Sequence, residues 1–197
     1  MLKKIFKAFV FLFFLIIAVY FLFFSRKYPL AVITHSLSVG DSLDSFNGVT
    51  VYNNGTNYSQ SYGRHYSSDS FYYGKKWQCV EFIKRYYHDY IKHDFPLSSG
   101  HAKDFFDESV RQGKMNKKRG LIQYCNGENE KPKVNDILVF GGNYGHVAII
   151  SHVGENELEV IQQNIYMTPR QTFSIKIVSG KYFVGETKQP LCWLRKE

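Results

Sequence analysis

The pattern of hydrophobic and polar positions begins with one long apolar run. Ala8 to Phe24 hold 17 residues without a charge. A helix rises about 1.5 Å per residue and needs about 20 residues to cross a bilayer, so this run with its flanks is long enough. Ser25-Arg26-Lys27 follow it instead of small residues at a cleavage site, which favours an uncleaved transmembrane anchor over residues 1–27.

The charges around this run predict an orientation. Lys3, Lys4 and Lys7 precede it, whereas Arg26 and Lys27 follow it. The positive-inside rule therefore favours a cytoplasmic N-terminus, with the remaining chain on the periplasmic or extracellular side. The expectation is a single-pass membrane protein that contacts the lipid bilayer through residues 5–24.

Two helices are predicted in the middle of the chain. Apolar residues recur with helical spacing from Gln78 onward, and the pattern ends before Pro96. A second helix is predicted over about 101–112, where Gly113 can cap its end. The preceding stretch, 52–73, is rich in Tyr, Ser, Asn and Gly without periodicity, which predicts a loop.

The last third of the chain has the pattern of strands. After residue 133, short β-branched segments alternate with turns that contain Gly and Asn, and the connections are short enough to force antiparallel neighbours. The predicted strands are 136–140, 146–151, 157–164 and 171–178. With residues 28–46 as a connector and 47–197 as one domain, the prediction is the α+β class: N-terminal helices packed on a C-terminal antiparallel β-sheet, preceded by one transmembrane helix.

Composition excludes some function classes. The net charge is +8, but residues 1–27 carry five Lys or Arg and no acid, which leaves +3 for the rest. So small a charge, without a basic stripe, predicts no nucleic-acid partner. The chain contains neither Cys-x-x-Cys nor His-Glu-x-x-His and no phosphate loop, so no metal and no cofactor is predicted.

The candidate chemistry centres on Cys79, in the first turn of the first predicted helix. Amide N–H groups and the helix dipole there would lower the thiol pKa and favour a nucleophilic thiolate, although an isolated cysteine is more often a small buried hydrophobe. His146 follows the glycine loop GGNYG and opens a predicted strand. From there it could reach over the sheet edge as the base, and ordinary packing is the alternative.

A third polar group could orient the imidazole. The strand after His146 ends in Gln162-Gln163-Asn164, and in a hairpin this end lies beside the start of the preceding strand. Strand alternation makes Gln162 the first choice and Asn164, on the same face, the second.

Other residues keep two interpretations open. Glu81 and Arg85 lie on the first predicted helix and could line a substrate groove, but charged residues on an amphipathic helix are usually solvated. Cys125 and Cys192 would be free thiols in a reducing compartment and could form a disulfide in an oxidising one.

Several blocks occur in an order that resembles the CHAP family (cysteine, histidine-dependent amidohydrolases/peptidases): YGKKWQCVEFIKRYY, GHAKDFF, DILVF, YGHVAII and VIQQN. The run QCVEF, with GVTVYNNG upstream, is most similar to the amidase domain of the glutathionylspermidine synthetase/amidase family. The resemblance covers about Gly48 to Asn164 and implies a papain-like fold with Cys79 and His146 as the catalytic pair. The third catalytic position of that amidase is a Glu in a Glu-Gln-Asn run, whereas this chain has Gln162.

The resemblance implies acyl transfer. Cys79 would attack an amide carbonyl, His146 would protonate the departing amine, and the Cys79 backbone N–H with Gln78 would hold the oxyanion. The leading hypothesis is a membrane-anchored cysteine amidase or peptidase that acts on a peptide-like amide, with peptidoglycan peptides favoured by the anchor. The alternatives are hydrolysis of a glutathione/polyamine conjugate and a catalytically weak or inactive binding module, which Gln162 in place of Glu would support.

Overall fold

The computed structural model describes residues 12–20 and 37–197. Residues 12–20 are helical. Within these described ranges no helix has the length and apolar character needed to cross a membrane. This finding overturns the predicted transmembrane helix and the predicted single-pass localisation. The remainder of the predicted anchor, 1–11 and 21–27, lies outside the described residues.

Leu37–Glu197 form a compact unit that is mostly sheet. An eight-stranded sheet has the order β11-β10-β9-β8-β7-β12-β6-β5, and two hairpins, β1-β2 and β3-β4, lie apart from it; all pairings are antiparallel. The strands described are β1 Ser42–Phe46, β2 Val49–Tyr52, β3 Arg64–Tyr66, β4 Tyr72–Lys75, β5 Lys114–Asn116, β6 Leu121–Cys125, β7 Ile137–Phe140, β8 His146–Val153, β9 Glu157–Ile161, β10 Arg170–Val178, β11 Lys181–Val184 and β12 Cys192–Arg195.

The four strands predicted after residue 133 are confirmed as β7 to β10. The earlier strands were missed because they are short and lack clear alternation; β3, for example, is only Arg64–Tyr66. Strand β1, Ser42–Phe46, lies within the predicted connector, and the predicted domain start at residue 47 stays a prediction.

Helix α1, Cys79–Tyr86, confirms the first predicted helix and continues into a π-helical turn, Tyr87–Ile91. The second predicted helix is wrong: of 101–112, only Ala102–Phe105 form a helix, of the 3₁₀ type. Two hairpins also precede α1, so the predicted order of helices first and sheet afterwards is wrong too.

The backbone after Phe105 finds its partners outside a helix. The Gln123 side chain accepts from the N–H of Asp107 at 3.0 Å and donates to its carbonyl at 2.9 Å and to that of Val110 at 3.1 Å. The Asp107 carboxylate accepts from the N–H of Ser109 at 3.1 Å. Because these groups are satisfied locally and by β6, a helical ladder has no advantage there.

Apolar residues pack on both faces of the sheet. Val147 and Ile149 of β8 lie in one buried cluster with Phe82 of α1, whereas Ala148 and Ile150 lie in a second cluster. The sheet curls over this second cluster, because the segment after β6 is bridged to β11 through Glu128 and Tyr182. Strand β8 is therefore enclosed on both sides, and its first residue, His146, lies where α1 begins to pack on the sheet.

Glu81 places a buried carboxylate in the first turn of α1. Its side chain is 0% exposed, and Oε1 accepts from Arg85 Nε at 2.6 Å and from His65 Nδ1 at 2.8 Å. Oε2 accepts from Gln163 Nε2 at 2.6 Å. Burial alone would raise the pKa of Glu81, but the His65 hydrogen bond and the charge of Arg85 outweigh it and hold the pKa below its usual value. The carboxylate thus joins β3, α1 and the end of β9.

Removing this carboxylate should destabilise the protein strongly. Glu81→Ala leaves the Arg85 guanidinium buried without its partner, and the expected loss in the free energy of unfolding is about 3–5 kcal/mol at pH 7. Because the pKa of Glu81 is lowered by folding, its contribution is complete above its unfolded pKa and fades as the pH falls through the folded value.

Urea unfolding of wild type and Glu81→Ala at pH 7 and pH 3.5 measures this difference. The gap between the two proteins should narrow at the lower pH. The exposed Glu155→Ala is the matched control and should change stability little. A cost below about 1 kcal/mol for Glu81→Ala would contradict the assigned role.

Cys125 and Cys192 lie directly opposite each other in the pairing of β6 with β12. The Cys125 N–H donates to Gln112 Oε1 at 2.6 Å and not to β12. This marks a non-hydrogen-bonded pair, with Cα atoms about 4.5 Å apart, inside the range of about 4.4–6.8 Å that a disulfide spans. Both are free thiols in this structure, and burial raises the pKa of each.

Oxidised glutathione should therefore link Cys125 to Cys192. Two thiols would become one disulfide while the oxidant is reduced to two thiols, and the protein mass should fall by about 2 Da. The rate should increase with pH, since the raised pKa values keep both thiols protonated at neutral pH. Peptide mapping should find the bridge in wild type and in Cys79→Ser but not in Cys125→Ser. A bridge that includes Cys79 would refute the assignment.

Candidate active site

Cys79 is the first residue of α1, and its side chain is only 8% exposed. Backbone N–H groups of Val147, Val80 and Cys79 itself donate toward the sulfur and stabilise its anion. Burial is the larger effect, however, and raises the pKa of the Cys79 thiol to about 11. The predicted lowering of the Cys79 pKa is therefore wrong: the amides favour the anion, but desolvation outweighs them and the thiol is protonated at neutral pH.

His146 opens β8, and its Nε2 lies 3.0 Å from Gln162 Oε1. The orientation of the Gln162 amide follows from its nitrogen, which donates to the Thr168 carbonyl at 3.2 Å and to Gln171 Oε1 at 3.3 Å. Its oxygen must therefore face the ring, so His146 Nε2 is the donor. In the neutral ring this leaves an unprotonated lone pair on Nδ1.

The pKa of His146 is lowered to about 4. Burial is the main cause, the positive charge of Lys188 adds to it, and the hydrogen bond with Gln162 opposes it. At neutral pH the imidazole is therefore neutral and can accept a proton at Nδ1.

Cys79 and His146 approach the start of β8 from different sides. Cys79 packs in the first core cluster, and the backbone N–H of Val147, the residue after His146, acts to lower its pKa. The His146 ring lies 6.3 Å from the ring of Phe140, which belongs to the second cluster. Among the described residues, the only side-chain hydrogen bond of the His146 ring is the one with Gln162. Hydrogen bonds between a nucleophile and its base are often long without substrate and tighten when the substrate binds.

Gln78 and Asn164, the other polar candidates at this edge, bind each other. Asn164 Nδ2 donates to Gln78 Oε1 at 2.8 Å and to the Tyr58 carbonyl at 2.9 Å. Gln78 Nε2 donates to the Gln60 carbonyl at 2.6 Å. The Gln78 amide thus fastens the 58–60 loop to the helix start, while the oxyanion role predicted for it stays a prediction.

Glu81 and Arg85 are enclosed rather than solvated. Arg85 is 5% exposed and donates from NH1 to the Thr50 carbonyl at 2.7 Å, besides its ion pair with Glu81. The structure therefore places both in the scaffold beneath the site, and a substrate contact for either is still a prediction.

Gln163 is the residue of this network that the sequence interpretation left out. It is 1% exposed, and its Nε2 donates to the Gln78 carbonyl at 3.1 Å as well as to Glu81. The alternation of side chains along a strand could have identified Gln163, because it shares a face with Ile161, which packs in the cluster below α1.

The chemistry available at this edge is that of a thiol, an imidazole and backbone amides. A free Nδ1 lone pair can take a proton from sulfur, and amides at a helix start can stabilise negative charge. Within residues 12–20 and 37–197, no group of three or more His, Cys, Asp or Glu side chains could hold a metal ion.

Comparison with known proteins identifies the domain. The CHAP domain family model matches residues 68–164, a range that includes Cys79, His146 and Gln162. The bifunctional glutathionylspermidine synthetase/amidases of Escherichia coli (strain K12) and Shigella flexneri are each 28% identical to this chain over 137 residues, which covers 62% of the chain. The alignment covers 22% of each relative, so the chain spans about a fifth of their length. The resemblance seen in the sequence is confirmed: residues 68–164 match the CHAP domain family, and this match supports amidase-type hydrolase activity.

Proposed function

We propose that this chain is a thiol-dependent amidase or peptidase in which Cys79 is the nucleophile and His146 the general base and acid. The observation that carries the proposal is the hydrogen bond between His146 Nε2 and Gln162 Oε1, at 3.0 Å. It directs the proton to Nε2 and leaves Nδ1 as a base at the start of β8. The next amide of this strand, that of Val147, acts to lower the pKa of Cys79. The CHAP family match supports the same class of reaction.

The resting pair is neutral, which defines the first step. Because the pKa values lie at about 11 for Cys79 and about 4 for His146, the proton must move from sulfur to Nδ1 as the sulfur attacks the carbonyl carbon. The negative charge then passes to the carbonyl oxygen, where the backbone amides around the sulfur can stabilise it.

The later steps return the proton. The His146 imidazolium donates it to the nitrogen of the departing amine, the C–N bond breaks, and a thioester on Cys79 remains. Water then attacks the thioester while His146 takes its proton. The C–S bond breaks, the acid is released, and the imidazolium returns the proton to the sulfur. Gln162 accepts from Nε2–H throughout and keeps the ring oriented.

The proposed substrate is a peptide or peptide-like amide, with peptidoglycan peptides as one candidate. A conjugate of glutathione with a polyamine is the second candidate, favoured by the similarity to the two glutathionylspermidine synthetase/amidases. Both are amides that acyl transfer through a cysteine can cleave.

Loss of either member of the pair should abolish turnover. The full chain, incubated separately with peptidoglycan peptide fragments and with glutathionylspermidine, should release free amine at a measurable rate. Cys79→Ala should remove this activity, and His146→Ala should lower kcat by about 100-fold or more. Cys125→Ser and the exposed His152→Ala are matched controls and should stay active.

An active Cys79→Ala protein would overturn the proposal. If wild type cleaves neither amide, the proposed hydrolase fails and a binding module with the CHAP fold is the better interpretation.

The pH profile should report the pKa of His146. Because its pKa is lowered to about 4, the base stays unprotonated and kcat/KM should decline only below about pH 5. Gln162→Glu places a carboxylate beside Nε2, favours the imidazolium and should move this acid limb up by about one pH unit or more.

The control for the added charge is Gln112→Glu, in the turn before β5 at the far edge of the sheet, which should leave the acid limb of the pH profile in place. An acid limb near pH 6.5 in wild type, or one that Gln162→Glu does not move, would contradict the assignment of His146 as the base.

A further inference from the structure

The segment between β11 and β12 brings a lysine to the His146 side of the site. Lys188 is exposed, and its Nζ lies 5.0 Å from the centre of the Phe140 ring. Phe140 is the direct partner of His146 in the pairing of β7 with β8, and the two rings are 6.3 Å apart. The aromatic face thus holds the ammonium beside the imidazole.

The charge of Lys188 is not neutralised by a neighbouring acid. Glu186 in the same loop is paired with Lys176 at 2.8 Å. Among the described residues, no carboxylate lies within ion-pair distance of Lys188. Its charge reaches the imidazole, since it contributes to the lowered pKa of His146. An unpaired ammonium at the edge of a site is suited to bind an anionic group of a ligand.

The position of Lys188 indicates which part of a substrate it meets. In the proposed reaction His146 protonates the departing amine, so the groups beside the imidazole face that amine. Cys79, which retains the acyl part, packs in the cluster on the other face of the sheet. Lys188 shares the face of Phe140 and therefore lies on the side of the leaving group.

We propose that Lys188 is a specificity-determining residue that binds a carboxylate on the leaving amine. The substrate class is then an amide whose departing part is an amino acid or peptide with a free carboxylate. A polyamine leaving group would bring further positive charge beside the Lys188 ammonium, and like charges in contact disfavour binding. This inference rests on the proposed function and chooses between its two candidate substrates.

Three amides that share the glutathionyl acyl group and differ only in the leaving amine test the proposal. The full chain is given glutathionylglycine, glutathionylglycinamide and glutathionylspermidine, which release glycine, glycinamide and spermidine respectively. Wild type should cleave the glycine compound with a kcat/KM about fivefold above that of the glycinamide compound, and the spermidine compound most slowly. Lys188→Ala should reduce this ratio to about one, and Lys188→Glu should favour spermidine.

Lys117→Glu, an exposed change of the same charge on the turn between β5 and β6, is the matched control and should keep the wild-type order. Unchanged ratios in both Lys188 variants, or a wild-type preference for spermidine, would overturn the role of Lys188 while leaving the amidase intact. If wild type cleaves neither these three amides nor the peptidoglycan peptide fragments, the proposed function and this inference fail together.

Discussion

The candidate site depends on one constraint: the start of α1 must be held against the end of β9, beside the start of β8. Three consecutive side chains provide this clamp, because Gln162 binds His146, Gln163 binds Glu81 and the Gln78 carbonyl, and Asn164 binds the Gln78 side chain. Glu81 is fully buried, so its network cannot exchange partners with water and fixes the distance between helix and strand. The same few hydrogen bonds therefore position Cys79, the proposed nucleophile, and Gln162, which accepts from His146.

The burial that positions the pair also determines its charge state. Desolvation raises the pKa of the Cys79 thiol and lowers that of the His146 imidazole, so each group is driven to its neutral form. Cys79 and His146 therefore form no thiolate–imidazolium ion pair before a substrate binds. In the proposed mechanism the proton therefore leaves the sulfur as the sulfur attacks the carbonyl, and the amides at the helix start stabilise the negative charge that develops on the carbonyl oxygen.

Strand periodicity predicted β7 to β10, and its phase placed Gln162 beside His146, a contact that the structure contains. The same periodicity could not predict that Glu81, Lys84 and Arg85 are buried, at 0%, 1% and 5% exposure. On a helix those charges suggest a solvated face, and only the tertiary structure buries them, because β2 and β4 also contact α1. The helix expected over 101–112 failed for a similar reason, since the backbone partners come from Gln123, a residue of β6.

Gln162 in place of a Glu changes the electrostatics of the site more than its geometry. A neutral amide still accepts from Nε2–H at 3.0 Å, but it gives the imidazolium less stabilisation than a carboxylate would. Lys188 acts in the same direction, because its ammonium also disfavours a positive ring. A substrate carboxylate bound to Lys188 would offset that ammonium and add negative charge near His146 when the imidazolium forms. The substrate would then supply part of the stabilisation that a Glu at position 162 would otherwise provide, which couples recognition of the leaving group to the chemical step.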